Sequence, residues 1–448
     1  MAPAIVIVAD DLTGAADCGA VYTEAGLDTV VVFGEVLRAW DCAADVTAVD
    51  ADTRRAPPEL AATVTERIVR ELCSGSPAPI LYKKIDSTLR GNFAVEIAAA
   101  RRAYGDSRGS AKAGPATISP APFTIVAPAF PATGRTTRDG RMFVQGVPME
   151  EGDVWRKEKL SGIADVSAIL RARTGLRVET VPLEVVRAGV QSTADILTGY
   201  AASGVEAVVC DADLDDDLSA VAQAAARLNP LPVFAGSAGL ARHLPAALGL
   251  IRKHPADCRM RPGFVSVDAA ASRSEAPART RGPLLFVIGS VSEVARAQLD
   301  RLALEPGITI VTVPPAALRA GPGENAWQAA VRQADEALDA QRDVAIVIGT
   351  AGEINLDDGA VLSKALAQLV LLLMPRQAGL FCTGGETARA VFDAAGISGI
   401  RLAGEVEPGV PLGTGVGDYT RIPIITKAGA FGHPETLVRC RAALGGFP

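Results

Sequence analysis

Short apolar runs rich in Val and Ile recur along the chain, and most are followed by a stretch of helical composition. This alternation argues for an α/β fold. In the first half it predicts strands at Ala4–Ala9, Thr29–Phe33, Val46–Val49, Pro79–Lys83, Phe123–Ala127, Val178–Val181, Ala207–Cys210 and Pro232–Phe234. Helices are predicted between them at Pro57–Cys73, Phe93–Tyr104 and Ser192–Ser203.

The pattern then breaks. Residues 251–283 carry Arg, Pro, Ala and Ser with few bulky apolar side chains, which predicts a linker. Beyond it the alternation resumes, with strands predicted at Leu284–Gly289, Ile308–Val313, Val344–Gly349 and Gly379–Cys382. The stretch Val410–Thr426 reads as β-structure with Gly-rich turns. The expected organisation is two α/β domains, 1–250 and 284–448, around a cleft. Ligands of open α/β sheets sit beyond the carboxyl ends of strands, so the residues after each strand are where chemistry is expected.

Composition excludes several classes. The net charge of −7 argues against a general nucleic-acid binder. The longest apolar stretch, Ala365–Met374, is shorter than the roughly 20 residues of a membrane span. The N-terminus runs straight into acid and reads as neither a signal nor a transit peptide. Seven cysteines without a CxxC make no disulfide framework and read as small buried hydrophobes. The expectation is a soluble, reduced, cytoplasmic protein with no nucleic-acid or membrane partner. The three histidines, His243, His254 and His433, are scattered, so no histidine metal cluster is expected. Only eight of the 44 basic residues are lysine, which draws attention to where lysines fall.

In the first half, four segments follow predicted strands. Asp10-Asp11-Leu-Thr13-Gly14 ends the first strand with two carboxylates and opens a helix. One carboxylate suffices for a cap. The other is left to bind hydroxyls, hold a metal or act as a base. Asp17 lies further into the same helix. Arg54, in Asp52-Thr53-Arg54-Arg55, can grip a carboxylate in a two-point fork. The segment Lys83-Lys84-Ile-Asp86-Ser87-Thr88-Leu-Arg90-Gly91-Asn92 is the densest, a candidate anion site between strand and helix. The fourth, Ala127 to Arg141, reads as a long polar loop. Asp211–Asp217 lacks the glycine of a calcium loop and reads as a strand end with an acidic helix start.

Three segments stand out in the second half. Gly289-Ser290 and Thr383-Gly384-Gly385-Glu386-Thr387 each join a strand to a helix, where exposed amides can cradle phosphates. Gly349-Thr350-Ala351-Gly352 is a weaker turn of this kind. Lys427-Ala428-Gly429 sets a scarce lysine beside glycine near the C-terminus. Neither a P-loop nor a dinucleotide fingerprint is present.

Five of these segments occur in order across almost the whole chain: Asp10–Asp17, Lys83–Asn92, Pro131–Arg135, Thr383–Thr387 and Lys427–Gly432. Together they resemble the four-carbon acid sugar kinase family, ATP-dependent kinases of threonate, erythronate and 3-oxo-tetronate. The resemblance implies an N-terminal acid-sugar-binding domain, a C-terminal nucleotide-binding domain and phosphorylation of the terminal C4 hydroxyl. It implies substrate contacts from Asp10, Asp11, Arg54, Lys83, Lys84, Asp86, Ser87, Arg90 and Asn92. Asp11 would be the base, ahead of Asp10 or Asp86. ATP would meet Ser290, Gly384, Gly385, Glu386, Thr387, Lys427 and Gly429, with Mg²⁺ on its phosphates; no residue is assigned as a metal ligand. Partners would be the acid sugar and ATP, with a homodimer as the assembly considered. Two departures stand out. The family's lysine near the C-terminus is usually followed by Pro-Gly-Gly, here Ala428-Gly429-Ala430. The segment after Met149 lacks the family's phenylalanine-, aspartate- and proline-bearing stretch. The alternatives are a non-catalytic acid-sugar sensor on the same fold and an NAD(P)-dependent dehydrogenase, the latter disfavoured by the missing fingerprint.

Overall fold

The computed structural model describes residues 3–33, 43–75, 77–110, 122–152, 155–156, 162–252, 282–290, 292–349, 359–419, 421–429 and 431–447. The chain divides into two compact units, Met1–Lys253 and His254–Pro448. Most of the expected linker, part of the segment after Met149 and residues 350–352 lie outside the described residues.

The first unit contains β1 (Ile5–Ala9), β2 (Thr29–Phe33), β3 (Val46–Asp50), β4 (Ile80–Lys84), β5 (Thr124–Ala127), β6 (Arg135–Arg138), β7 (Arg141–Val144), β8 (Val147–Pro148), β9 (Val178–Val181), β10 (Ala207–Cys210) and β11 (Val233–Gly236). Eight of these form one sheet in the order β2-β3-β1-β4-β11-β5-β10-β9. Every neighbouring pair is parallel. The strands are buried almost throughout, which is why they read as continuous apolar runs rather than alternating ones. Helices α1 (Leu12–Glu24), α2 (Pro58–Cys73) and α3 (Phe93–Ser110) follow β1, β3 and β4. From β1 the chain crosses to β2 on one side; from β4 it crosses to β5 on the other. The carboxyl ends of β1 and β4 therefore flank a topological switch point, where the chain leaves a crevice.

The expected polar loop after β5 is more ordered than its composition implied. A 3₁₀ turn at Pro131–Thr133 leads into the antiparallel sheet β6-β7-β8. The Asp211 carboxylate holds its β6–β7 turn, accepting from Asp139 N at 2.6 Å and Gly140 N at 3.0 Å. Asp217 instead closes the start of the helix Asp215–Ala225, accepting from the backbone N–H groups of Asp213 and Leu214.

The second unit contains β12 (Leu284–Ile288), β13 (Ile308–Val313), β14 (Asp343–Ile348), β15 (Gly379–Thr383), β16 (Ile397–Glu407), β17 (Val410–Gly417) and β18 (Pro423–Lys427). Their order is β13-β14-β12-β15-β18-β17-β16. The first five strands run parallel, and β17 and β16 add an antiparallel edge. The chain leaves β12 toward β13 and β15 toward β16, so a second switch point lies between β12 and β15. The stretch Gly359–Arg376 is apolar enough, by length and composition, to cross a membrane, with a mean hydropathy of 1.3 over 18 residues. Its residues Leu362, Leu366, Leu369, Val370 and Leu373 are buried inside the unit. The five described cysteines are buried and free, as expected.

Candidate active site

In the first unit, the register sets Val8 of β1 beside Lys83 of β4, so the two loops leave the sheet side by side. Asp11 caps α1, its Oδ1 accepting from Gly14 N at 2.8 Å. Gly14 is required here: a Cβ would lie 2.8 Å from Asp11 Oδ1 and 3.2 Å from Lys84 Nζ. Asp10 points into the sheet end and is 2% exposed.

Arg54, from the loop after β3, joins the two acids. Its Nε and Nη2 donate to Asp10 Oδ2 and Oδ1 at 2.8 and 2.9 Å, and its Nη1 donates to Asp11 Oδ2. Asp86 Oδ1 lies 3.8 Å from the same guanidinium. The predicted fork is therefore real, but it grips a carboxylate of the chain itself. The backbone carries it there: Thr53 and Arg54 both donate N–H to Asp10 O, and Asn92 Nδ2 donates to Thr53 O and Ala56 O. Gly91 lets the next loop approach closely. Its φ is +81°, and a Cβ would lie 3.0 Å from Asp10 Oδ2.

Lys83 and Asp86 sit differently from the expectation that they contact ligand. Lys83 is fully buried beneath the loops. Its ammonium pairs with Glu96 of α3 at 3.0 Å and donates to Val8 O and Lys84 O. Glu96 also accepts from Thr53 Oγ1, so this network supports the Arg54 loop from below. Asp86 accepts from Thr88 Oγ1, Thr88 N and Arg90 N, and takes both Nε and Nη2 of Arg90 at 2.8 and 3.0 Å. So many donors leave it little basicity. Asn92, likewise, uses its amide nitrogen to hold the Arg54 loop.

The three carboxyls differ in their electrostatics. Burial pushes Asp10 up, but Arg54, aided by Lys83, holds its pKa below the ordinary aspartate value. Burial acts on Asp86 too, and Arg54 and Arg90 hold it well below that value. Asp11 goes the other way: burial lifts it, Arg54 opposes, and the Asp10 charge lifts it further. Its side chain is 20% exposed. A partly accessible carboxyl with a raised pKa beside two held ionised is the arrangement that separates a base from its supports. Lys84, Ser87 and Arg90 line the same loops. Arg135, at the start of β6, lies near enough to Asp86, Arg90 and Asp17 to interact with their charges.

In the second unit, Ile288, Thr383 and Lys427 stand abreast on β12, β15 and β18. The glycine turns that follow therefore converge. Gly384 has φ +94° and caps the helix Gly385–Ala394, its N–H donating to Lys427 O at 2.9 Å. A Cβ at Gly289 would collide with Thr387, and one at Gly429 would collide with Ser290. Ser292, unmarked by the sequence reading, caps the helix Glu293–Ala303 and donates to Gly429 O at 2.8 Å. Thr387 is buried behind the turn against Ser363 Oγ at 3.1 Å. Lys427 departs from the expectation of a ligand contact: it is 1% exposed, and its ammonium donates to Ala428 O, Gly429 O and Phe431 O. It holds the loop from inside. Burial lowers its pKa to about 8. What faces outward is a set of backbone amides at a helix N-terminus, the chemistry that receives phosphate.

Comparison with known proteins assigns a function to each unit. Residues 5–244 match the model of a sugar-binding N-terminal domain, and residues 285–437 that of a nucleotide-binding C-terminal domain. The chain is 42% identical over 440 residues to a D-threonate kinase of Cupriavidus necator, covering 96% of each. It is 28% identical to a D-erythronate kinase of Heliobacterium modesticaldum, covering 97% of this chain and 96% of that one. Among solved structures, a Haemophilus influenzae protein shares the fold, with a TM-score of 0.72, 21% identity and coverage of 99% of this chain and 100% of that one.

Proposed function

Because the chain belongs to the four-carbon acid sugar kinase family, we propose that it transfers the γ-phosphoryl group of ATP to the C4 hydroxyl of a tetronate, with D-threonate as the preferred acid. The observation that carries this reading is Asp11, the one carboxyl of its loop cluster that combines exposure with a raised pKa. The preference for D-threonate rests on the higher identity to the D-threonate kinase than to the D-erythronate kinase.

Asp11 takes the proton of the C4 hydroxyl as that oxygen attacks. Arg54 holds Asp11 in position and balances its charge, while Asp10 and Asp86 hold Arg54. Lys84, Ser87 and Arg90 meet the acid's carboxylate and hydroxyls. On the nucleotide, the amides of Gly385 and Glu386, with Ser290 and Gly429, receive phosphate oxygens, while the Gly384 amide ties the turn to Lys427 O. Lys427 and Thr387 fix the turns that present them. Phosphoryl transfer asks for positioning and charge neutralisation more than covalent chemistry, which such a set supplies. Among the described residues no group of three or more His, Cys, Asp or Glu side chains is placed to hold a metal; Mg²⁺ bound to the ATP phosphates would supply charge neutralisation there.

The test is ATP-dependent ADP release with Mg²⁺ over D- and L-threonate, D- and L-erythronate and 3-oxo-tetronates. Turnover with D-threonate at the highest kcat/KM is expected. Absence of turnover on every acid would overturn the reading.

A further inference from the structure

Asp17 has no part in the chemistry described so far, yet it sits in an unusual place. It lies three residues beyond Gly14 on α1, and so on the same face of the helix. The α1 helix is buried on nearly every side, and Asp17 is only 7% exposed. Its Oδ1 is fully buried and has no hydrogen-bond partner among the described residues. Leaving such an atom unmatched is costly, and more so for a charged group. A folded chain seldom carries that cost without a use.

The charged groups near enough to act on Asp17 indicate the use. They are Lys84 at the end of β4, Arg242 after the helix Ala238–Ala241 that follows β11, Asp11, and Arg135 on β6. Lys84 Nζ packs against the first turn of α1, and its hydrogen bond is to Ile85 O at 3.0 Å. The set is two carboxylates, Asp17 and Asp11, among three cations, drawn from α1 and its cap, the end of β4, the helix after β11 and the hairpin. That is the complement of a hydroxy acid: cations for a carboxylate, and a carboxylate oxygen for a hydroxyl. Burial raises the Asp17 pKa, with Lys84 and Arg242 opposing, as befits a carboxyl whose charge is balanced at a distance rather than by contact.

We infer that Asp17 accepts a hydrogen bond from a secondary hydroxyl of the acid sugar, at C2 or C3, and is a specificity-determining residue for that hydroxyl. The inference rests on the tetronate kinase reading and deepens it. A buried acceptor discriminates strongly, because an acid with the wrong configuration, or with no hydroxyl there, leaves the acceptor unmatched.

The experiment is steady-state kinetics of the full chain and its D17A and D17N variants on D-threonate and on the two deoxy acids, 2,4- and 3,4-dihydroxybutanoate. Both deoxy acids keep the C4 hydroxyl. On D-threonate, D17A is expected to lose about 10- to 100-fold in kcat/KM, as for one lost hydrogen bond to a charged group. On the deoxy acid that lacks the recognised hydroxyl, variant and parent should agree within about twofold. D17N keeps an acceptor oxygen and should recover part of the loss, and it replaces D17A in the comparison if D17A does not fold. Equal losses on all three acids would assign Asp17 a structural role and overturn the inference, as would no loss on any. Those outcomes leave the kinase reading standing, because the parent enzyme still turns over D-threonate. A parent that turns over none of these acids and none of the other tetronates overturns the kinase reading, and the inference with it; a parent that turns over another tetronate and not D-threonate overturns the inference as stated and leaves the kinase reading.

Discussion

Arg54 and Asp10 are clamped at two points, Nε to Oδ2 at 2.8 Å and Nη2 to Oδ1 at 2.9 Å, with Asp10 almost wholly buried. The third nitrogen of the same guanidinium reaches Asp11. One arginine thereby ties a buried carboxylate, which anchors it, to a half-open one placed to react.

A lysine at position 54 keeps the charge but loses the planar fork. Arg54→Lys is expected to lower kcat/KM by about 10- to 100-fold. Arg54→Ala removes one partner of a buried pair and should cost about 3–5 kcal/mol of stability. Urea unfolding of both variants beside their kinetics checks this; an Arg54→Ala protein as stable as the parent would show that the clamp is dispensable.

Asp11→Asn should lower kcat by about 10²- to 10⁴-fold with little change in the KM for ATP. A base works only when ionised, so kcat/KM of the parent falls as pH drops through the Asp11 pKa. Because burial raises that pKa, the acidic limb should lie above the ordinary aspartate range. A pH–rate profile whose acidic limb survives in Asp11→Asn would assign it to another group.

Asp211 predicts a pH dependence of stability. Burial raises its pKa to about 6, against the opposing pull of the Gly140 and Asp139 amides. The folded chain thus binds a proton that the unfolded chain has already lost. The stabilisation is fully present below the unfolded value of about 4 and is lost as pH rises through about 6. Thermal melts of the parent and Asp211→Asn between pH 4.5 and 7 should show this slope in the difference between them, and a constant difference would refute it.

Gly429→Ala would drive a methyl into Ser290 and open the nucleotide turn. It should weaken ADP binding by about tenfold or more while leaving binding of the acid unchanged, which calorimetry of each ligand can read. Lys427→Met should act in the same direction. In the parent, ADP affinity should fall above pH about 8, as the buried ammonium loses a proton and one donor to its three carbonyls. A flat affinity from pH 7 to 9 would show that the clasp does not need its charge.

Fully buried parallel strands announce themselves as continuous apolar runs, and eight of the first unit were legible for that reason. β16 was not, because Ile397–Glu407 alternates poorly and is broken by three register shifts. The hairpin β6–β7 was missed because Arg-Thr-Thr-Arg carries no apolar period; its order comes from Asp211, 72 residues away in the chain. The site residues were found by type and by position after strands. Their partners were not, because a sequence places a charge along the chain without showing which charge faces it. Arg54, Lys83 and Lys427 were read as reaching outward, and each turns inward to a carboxylate or to carbonyls. Asp17 drew notice within its motif, but only burial reveals that one of its oxygens is unmatched.

Each unit puts its reactive loops at a place where neighbouring strands send the chain in opposite directions. The strands beneath are apolar scaffolding except at their carboxyl ends, where Lys84 on β4 and Lys427 on β18 stand. The sugar-binding and nucleotide-binding functions thus fall on separate domains, each with its own crevice between strands.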